Sequence, residues 1–206
     1  MLDAATAVFL ERGYAAATIR VIATRAEVSV PTVELLFGKK PRLLKAAIDL
    51  AIAGDDDAVG MLDRDWASAA AQAAGVDEVL AIAAGVIGPA QTRSAGLVLA
   101  VFEGAASDAE LADLTREMVD QRASTAAWLV DRLVALVPLR GGCTWAEAVD
   151  TVWMLMDSVV FDRLTRQRGW TVDAYQSWLA DSIKRLLMDD ARAPKSTTPS
   201  PTRRTI

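Results

Sequence analysis

Apolar side chains recur at helical spacing in the first 52 residues and divide this stretch into four short predicted helices. Leu2, Ala5 and Phe9 form the buried side of the first helix. Gly13 is expected to end it, because glycine readily takes the left-handed conformation that often follows a helix. The second helix is expected to begin after Thr18, whose hydroxyl can accept a hydrogen bond from a free amide at the helix start.

The third predicted helix is about two turns long and begins after Ser29, a second capping residue. Pro31 is tolerated in its first turn, where the backbone amide has no partner to lose. Gly38 closes this helix. Its buried side is predicted to consist of Val33, Leu36 and Phe37. Leu35 should therefore project outward. The fourth helix carries a buried stripe formed by Leu44, Ala47, Ile48 and Ala51.

The rest of the chain also has the pattern of helices, and strand signals are absent from the sequence. Segments 58–74, 76–87 and 89–106 are rich in alanine and are predicted to form three helices. Longer helices are expected after residue 107, ending near 137, and from 144 to about 168. The chain is therefore predicted to be all-α.

The starts of these later helices are marked by capping residues. Ser107 and Glu110, like Thr144 and Glu147, have the spacing at which a hydroxyl and a glutamate cap one helix end reciprocally. Thr171 is expected to cap a last helix. Its broad apolar side consists of Tyr175, Trp178, Leu179, Ile183, Leu186 and Leu187.

Composition divides the chain into three parts: a helix-turn-helix domain (1–52), a helical domain (53–190) and a basic, proline-rich tail (191–206) that is expected to be disordered. The sequence has no apolar run of about eighteen residues that could span a membrane and no secretory signal segment. With Cys143 as the one cysteine, an internal disulfide is excluded. We therefore expect a cytoplasmic protein.

Charge is distributed unevenly between the two folded parts. The whole chain carries −5, whereas residues 1–52 carry seven basic and five acidic side chains, or +2, and the remainder carries −7. This difference suits a protein whose amino-terminal end meets phosphate.

The second and third predicted helices are joined by a tight turn, the arrangement that presents a helix to the DNA major groove. The order of residues adds to this pattern. The first quarter of the chain resembles the amino-terminal domain of the tetracycline-repressor (TetR) family of bacterial transcription regulators. The matching positions are Phe9, Glu11, Arg12, Gly13, Tyr14, Thr18, Ile22, Ala23, Ala26, Val28, Ser29, Thr32, Phe37, Lys40, Leu43 and Leu44.

The resemblance implies a set of DNA contacts. It places the side chains of Thr18, Ser29, Thr32 and Lys40 at or near phosphates. It places those of Val30, Pro31 and Leu35 against bases. The alternative for Thr18 and Ser29 is a capping role alone, and the lysines can also form a solvated face.

Three departures from the family concern the DNA contact. Glu27 stands in the turn where the family has glycine, so a positive φ there would cost energy. Glu34 and Leu36 replace the family's aromatic hydroxyl residues, and a carboxylate repels phosphate, although it can accept a hydrogen bond from cytosine. The family also has a basic segment ahead of its first helix, whereas this sequence begins directly inside that helix, as a truncated or misassigned start would explain.

The resemblance further implies an effector-binding and dimerisation domain, and hence a repressor that a small molecule releases from a palindromic operator. Candidate lining residues are Trp66, Phe102, Glu103, Met118, Trp128, Trp153 and Met156. The alternative for the aromatic side chains is ordinary packing. Glu103 and Asp157 lie in apolar runs, so each is expected to hold a polar ligand group or to pair with an arginine such as Arg122.

Residues 152–161 are apolar nearly all the way around a helix, which a surface helix of a small monomer does not sustain. One side is expected to face the domain's own core and another a second subunit, as with the last two long helices in the family. The alternative is a buried central helix in a monomer. The predicted interface comprises Val152, Leu155, Val159, Leu179, Ile183 and Leu186.

Other classes of function have less support in the residues. The sequence lacks histidine, Cys143 has no partner base, and glycine-rich phosphate loops are absent, so no enzyme, metal or cofactor is expected. The acidic cluster at 55–57 is interpreted as a linker. The competing hypothesis is a helical dimeric interaction or ligand-binding module that has lost specific DNA binding.

Overall fold

A computed structural model describes residues 1–55, 57 and 59–189, and this part of the chain is all-α, as predicted. The amino-terminal helices are α1 (Leu2–Ala16), α2 (Ile19–Arg25), α3 (Val30–Phe37) and α4 (Lys40–Ala53). They are followed by α5 (Asp65–Gln72), α6 (Val76–Gly104), α7 (Ala109–Val134), α8 (Trp145–Leu155), α9 (Ser158–Asp162) and α10 (Val172–Leu187). The tail predicted for 191–206 lies outside the described residues.

The boundaries of the first four helices agree with the local signals. Gly13 has φ 69° and ψ 172° and interrupts α1, so that its last residues turn away from the helix axis. The Thr18 hydroxyl accepts from the amide of Val21, and the Ser29 hydroxyl accepts from that of Thr32. Gly38, at φ 69°, follows α3. The predicted caps and stops are therefore confirmed.

Helix α6 is central to the fold because it contributes to two hydrophobic cores. Its amino-terminal half packs into a core with α7, α8, α9 and α10, and its later residues Leu97, Val98 and Val101 pack with α1, α2 and α4. Leu111 and Leu114 of α7 also belong to this second core. The amino-terminal bundle is thus joined to the rest of the chain by shared apolar packing rather than by a linker alone.

The prediction of separate helices over 76–87 and 89–106 was wrong, because α6 continues through Pro89. An interior proline removes one backbone hydrogen bond and costs about 3 kcal/mol. Buried residues on both sides of it, including Ala84 before and Ala95 after, anchor the two halves of the same helix. Tertiary packing therefore outweighs the local preference.

The helix predicted from 144 to 168 is in fact broken after Leu155. The Asp157 side chain accepts from the amide of Val159 and starts α9, which leads into a π-helical turn, Arg163–Gln167. Two carbonyls freed at the break have side-chain donors: Gln91 Nε2 lies 2.7 Å from Met156 O and Tyr175 Oη lies 3.3 Å from Leu155 O. The break is thus stabilised by residues from other helices.

One of the two predicted capping boxes is present. Thr144 and Glu147 form both reciprocal hydrogen bonds at the start of α8. At the start of α7 the cap is Asp108, which accepts from the amides of Glu110 and Leu111, while Ser107 donates to the carbonyl of Gly104. The prediction that Ser107 caps this helix was wrong because the carboxylate one residue later occupies that position.

Three of the predicted dimer-interface residues are interior residues. Val152, Leu179 and Ile183 are buried in the core formed by α6, α7, α8, α9 and α10 of a single chain. They therefore have no surface to offer a second subunit. Leu155 and Val159 are half-buried, and Leu186 is 41% exposed. Among the described residues, none of the helices is both long and apolar enough to cross a membrane.

Candidate functional site

The turn between α2 and α3 holds Glu27 in a left-handed conformation, with φ 56°. Its amide donates to Thr24 O at 3.2 Å, and the next amide, Val28 N, donates to Ala23 O at 3.0 Å. These bonds close the turn after α2 and direct the chain toward Ser29. The backbone at this position thus has the positive φ that glycine adopts most easily, and a glutamate bears the conformational cost.

Helix α3 lies on the surface, held at its start and by one buried residue. Ser29 Oγ is 2.7 Å from Thr32 Oγ1 and caps the first turn, and Val33 is fully buried beneath the helix. Leu35 is 86% exposed, as predicted. Leu36 is 60% exposed, so its predicted place in the core was wrong. Because the helix spans only eight residues, Val33 and the half-buried Phe37 suffice to anchor it.

The outer face of α3 combines apolar and hydroxyl groups. Pro31 and Thr32 are exposed and Val30 is half-buried. Glu34 is exposed on the same short helix, beside Leu35. The face is therefore largely apolar with a single carboxylate, and it is free of any cover from other described residues. Such a face can touch base edges and thymine methyl groups.

Lys40 does not extend toward solvent as the predicted phosphate contact requires. Its Nζ donates to the carbonyl oxygen of Tyr14 at 2.8 Å and lies 3.8 Å from the centre of the Tyr14 ring. Burial lowers the pKa of the Lys40 ammonium, and the nearby Asp108 carboxylate opposes this shift. The side chain is instead held within the protein, because it donates to a carbonyl just after the break at Gly13 and packs on the aromatic ring of Tyr14.

Several polar contacts connect the amino-terminal bundle to α7. Tyr14 Oη donates to Asp108 Oδ2 at 2.7 Å, and Lys39 pairs with Glu110. Lys45 Nζ lies 3.2 Å from a Glu117 carboxylate oxygen. These contacts are made by Asp108, which caps α7, and by side chains within the first nine residues of that helix. A displacement of α7 would therefore act directly on α1 and α4.

A second link connects α4 to α6. The Arg93 guanidinium donates to the carbonyls of Ala51 and Ile52, at 2.7 and 3.1 Å, and so caps the carboxyl end of α4. The left-handed Gly54, at φ 86°, follows directly. No pattern within 50–54 indicates this cap, because the donor lies about forty residues away.

A half-open cavity of about 910 Å³ lies between α4, the segment after it, α5, α6 and α7. Four of the predicted lining residues border it: Trp66, Phe102, Met118 and Met156. Further apolar lining comes from Leu50, Ile52, Val59, Met61, Leu62, Val86, Ile87, Ala90 and Val98. Its size and composition are those of small-molecule sites.

The other three predicted lining residues lie elsewhere. Glu103 is exposed to solvent, so its place in an apolar run does not bury it. Trp128 packs edge to face on Trp66, with ring centroids 5.2 Å apart, and supports the wall from behind. Trp153 packs against Arg122, whose guanidinium carbon lies 4.3 Å from the ring centre. None of the three therefore borders this cavity.

Arg122 is the charged side chain deepest in the cavity wall. Its Nη2 lies 2.7 Å from Asp157 Oδ2, and both side chains are less than one-fifth exposed. The prediction that Asp157 pairs with an arginine is therefore confirmed. Burial lowers the pKa of Arg122, while the Asp157 carboxylate acts in the opposite direction. Two buried N–H groups at this cavity, Arg122 Nε and Trp66 Nε1, have no hydrogen-bond partner among the described residues.

Sequence reasoning missed the polar residues of α6 in this cavity. Gln91 donates to Met156 O and accepts from Ser158 Oγ at 2.9 Å, which ties α6 to the break between α8 and α9. Gln91 follows Pro89 in a segment that the pattern indicates as a helix start. Nothing in that local pattern points to a contact with residue 156.

An exposed apolar surface is present on α8 and α10. Met154 is 61% exposed, and Leu186 lines a smaller groove together with Glu147 and Thr151 of α8. Trp145, at the start of α8, is 48% exposed and donates to Asp131. The two helices therefore present adjoining faces that carry apolar side chains to solvent.

A family model supports the interpretation of the amino-terminal bundle. Residues 1–47 match the model described as bacterial regulatory proteins, tetR family. These residues include the caps at Thr18 and Ser29 and the exposed face of α3. No curated protein matches the sequence.

Solved structures share the fold over nearly the whole chain. A transcriptional regulator from Saccharomonospora viridis in complex with choline is 20% identical, with a TM-score of 0.66 over 92% of this chain and 96% of that one. FadR from Bacillus subtilis in complex with stearoyl-CoA is 19% identical, with a TM-score of 0.66 over 88% and 95%. NalD, the secondary repressor of the MexAB-OprM efflux pump in Pseudomonas aeruginosa, is 17% identical, with a TM-score of 0.68 over 92% and 94%.

The capped surface helix and the tight turn before it form a helix-turn-helix unit, which is followed by a second helical core. Residues 1–47 are similar to the tetR family of bacterial regulatory proteins, and the chain shares its overall fold with solved transcriptional regulators. Because the solved structures are at most about one-fifth identical, they support the fold and leave the operator and the ligand to be derived from this chain's own residues.

Proposed function

We propose that this protein is a cytoplasmic, homodimeric repressor whose α3 enters the major groove of an operator and which a small molecule in the 910 Å³ cavity releases from DNA. The observation that carries this proposal is the exposed face of α3, capped by Ser29 and anchored by Val33. A helix too short to be stable alone, held rigidly with its outer face free, is what groove recognition requires. The proposed role is not catalytic and needs no cofactor.

The proposed DNA contacts follow from exposure. The hydroxyls of Thr18, Ser29 and Thr32 and the amino ends of α2 and α3 would contact phosphates. Leu35 and Pro31, which are exposed, and the half-buried Val30 would contact base edges. Lys40 serves this contact indirectly, since its side chain holds α4 against Tyr14. The net charge of +2 on residues 1–52 also supports contact between this end of the protein and the DNA phosphates.

The proposed dimer uses the exposed faces of α8 and α10. Met154 and Leu186 are its apolar candidates, with the half-buried Leu155 and Val159 beside them. A twofold pair would place two α3 helices about one turn of DNA apart, on a palindrome of half-sites. A single helix of eight residues reads too few base pairs to select an operator.

Release by a small molecule is proposed because the cavity shares its walls with the elements that hold the DNA-binding bundle. Helix α7 contributes Met118 and Arg122 to the cavity and binds Tyr14 through Asp108. Helix α6 contributes Gln91 to the cavity and caps α4 through Arg93. A ligand that prefers one arrangement of these helices would change the position of the bundle. The choline and stearoyl-CoA complexes of similar folds agree with this role.

The test is selection of bound sequences from random duplex DNA with the full-length protein, followed by titration of the enriched sequence at several salt concentrations. We expect an enriched palindrome and a log-log salt slope of about −0.9 for each phosphate neutralised. An enriched sequence without twofold symmetry would contradict the dimeric mode of binding. Selection without any enriched sequence would overturn the repressor function and favour an interaction module.

A further inference from the structure

Two buried donors distinguish this cavity from a purely apolar one. Trp66 Nε1 and Arg122 Nε belong to side chains that line it, and neither has a hydrogen-bond partner among the described residues. Buried N–H groups are nearly always paired in folded proteins, because an unpaired donor forfeits its hydrogen bond to water. Both nitrogen atoms are themselves buried, so an acceptor on a molecule that enters the cavity reaches them only when the surrounding wall shifts.

The neutral polar side chains of the wall are already paired within the protein. Gln91 uses both ends of its amide, on Met156 O and Ser158 Oγ. The hydroxyls of Ser94, Ser124 and Thr125 each donate to the carbonyl four residues earlier in their own helix. Among the buried polar atoms of the described wall, the unmet hydrogen-bonding capacity is thus on the donor side.

Neither an anion nor a cation meets a favourable charge in every part of the cavity. Arg122 is neutralised by Asp157 at 2.7 Å, so it does not need an anion from outside. Asp49 is paired with Lys45 and Asp55 with Arg64, whereas Asp57 and Asp63 border the cavity without an ion-pair partner among the described residues. An anion would be repelled by these two carboxylates. A cation would be attracted by them at the border, but at Trp66 and Arg122 it would meet N–H donors and a guanidinium, none of which can accept a hydrogen bond.

We propose that the effector is an uncharged, mainly apolar molecule with a carbonyl-type acceptor, which receives hydrogen bonds from Trp66 Nε1 or Arg122 Nε while its body packs against Phe102, Met118 and Met156. This inference rests on the proposed function of the cavity as the effector site. To that function the inference adds the chemical class of the ligand, which follows from the two N–H donors and from the carboxylates at the border of the cavity.

The experiment compares four probes that share an eight-carbon chain: methyl octanoate, octanoate, octyltrimethylammonium and octane. Each is titrated into the full-length protein in the absence of DNA, with calorimetry or the rise in melting temperature as the measurement. We expect methyl octanoate to bind more tightly than the other three, and more tightly than octane by about fivefold for each hydrogen bond gained. Tighter binding of octanoate or of the ammonium would overturn the inference, as would no binding of the ester.

A variant of the donor completes the test. Trp66→Phe keeps an aromatic ring in the wall and removes the N–H, so it should weaken methyl octanoate about fivefold and leave octane unchanged. Trp170→Phe is the matched control, because Trp170 lies outside the cavity lining, and it should change neither affinity. Equal loss for ester and alkane in Trp66→Phe would assign the tryptophan to packing and contradict its role as a donor.

The outcome is separable from that of the proposed function. Binding of the probes is measured without DNA, whereas the repressor function is judged by selection of an operator. If the operator is found and the ester does not bind, the ligand class is wrong and the regulator remains. If the ester binds as described and no operator is found, the cavity keeps its ligand class and the function as a repressor fails.

Discussion

Tyr14 donates a hydrogen bond of 2.7 Å to Asp108 and thereby joins the first helix of the DNA-binding bundle to the first turn of α7. The Lys40 ammonium packs against the ring of the same tyrosine. Asp108 at the same time caps α7 through the amides of Glu110 and Leu111. One carboxylate therefore fixes both the start of α7 and its attachment to α1.

Loss of this hydrogen bond should weaken the junction without unfolding the protein. Tyr14→Phe removes the donor and keeps the ring, and we expect the free energy of unfolding to fall by about 1 kcal/mol. Urea denaturation measures this change in the free energy of unfolding. Asp108→Asn, which retains an oxygen for the helix cap, serves for a double-mutant cycle with Tyr14→Phe. Strictly additive losses in that cycle would show that the two side chains do not interact.

The same contact predicts a dependence on pH. The hydrogen bond from Tyr14 lowers the pKa of the Asp108 carboxyl below its ordinary value of 3.8. A lowered pKa in the folded state contributes stability above the unfolded value, and this contribution is lost as the pH falls through the folded value. The difference in stability between wild type and Tyr14→Phe should therefore shrink on acidification below about pH 4. Urea denaturation of both proteins at a series of pH values tests this prediction. A difference in stability that stays constant with pH would show that the Tyr14 hydrogen bond is not linked to the protonation of Asp108.

Glu27 occupies a position where glycine is favoured, since its φ is 56°. Glu27→Gly removes the steric cost of the left-handed conformation but adds freedom to the unfolded chain, so we expect a net gain of about 0.5 to 1 kcal/mol. Glu27→Ala removes the same carboxylate and keeps the strain, so it should bring no gain. Thermal unfolding of the two variants separates backbone strain from charge. An equal gain in both would assign the effect to the carboxylate.

What the sequence could predict, and what it could not, depends on the distance along the chain between interacting groups. The caps at Thr18, Ser29 and Thr144 join groups three residues apart, and each was predicted correctly. The side chains of Lys40 and Arg93 bind carbonyls 26 and about forty residues away, and no local pattern indicated either contact.

The same reasoning applies to the candidate cavity and the dimer surface. Trp66 and Met156 were predicted as lining residues from their aromatic and apolar character, and both border the cavity. The same character could not distinguish them from Trp128, which packs against Trp66 without lining the cavity. An all-apolar helix was correctly inferred to be covered on several sides. Its own domain supplies most of that cover, as the burial of Val152 shows, while Met154 in the same segment remains exposed.

Leu35 should govern the choice of operator rather than stability. Because its side chain is 86% exposed, Leu35→Ala should change the free energy of unfolding by less than about 0.5 kcal/mol. The ratio of affinities for the preferred and the other base pairs at one position of each half-site should fall about fourfold, because burial of one methyl group contributes about 0.8 kcal/mol. Thr32→Ala is the control, because loss of a phosphate contact weakens all sequences alike. A uniform loss of affinity in Leu35→Ala would remove it from base contact.

Met154 provides the sharpest test of the proposed dimer, since its side chain is 61% exposed on α8, the helix that shares a groove with Leu186 of α10. A carboxylate in the centre of an apolar twofold interface meets its own copy across the axis, so Met154→Glu should convert the dimer to a folded monomer. Sedimentation velocity measures the change, and circular dichroism checks that the helices remain. Leu36→Glu places the same charge on the equally exposed face of α3 and should leave the dimer intact while it abolishes binding to DNA. If Met154→Glu sedimented as a dimer and Leu36→Glu as a monomer, the roles of the two faces would have to be exchanged, and α3 would be the surface that pairs subunits.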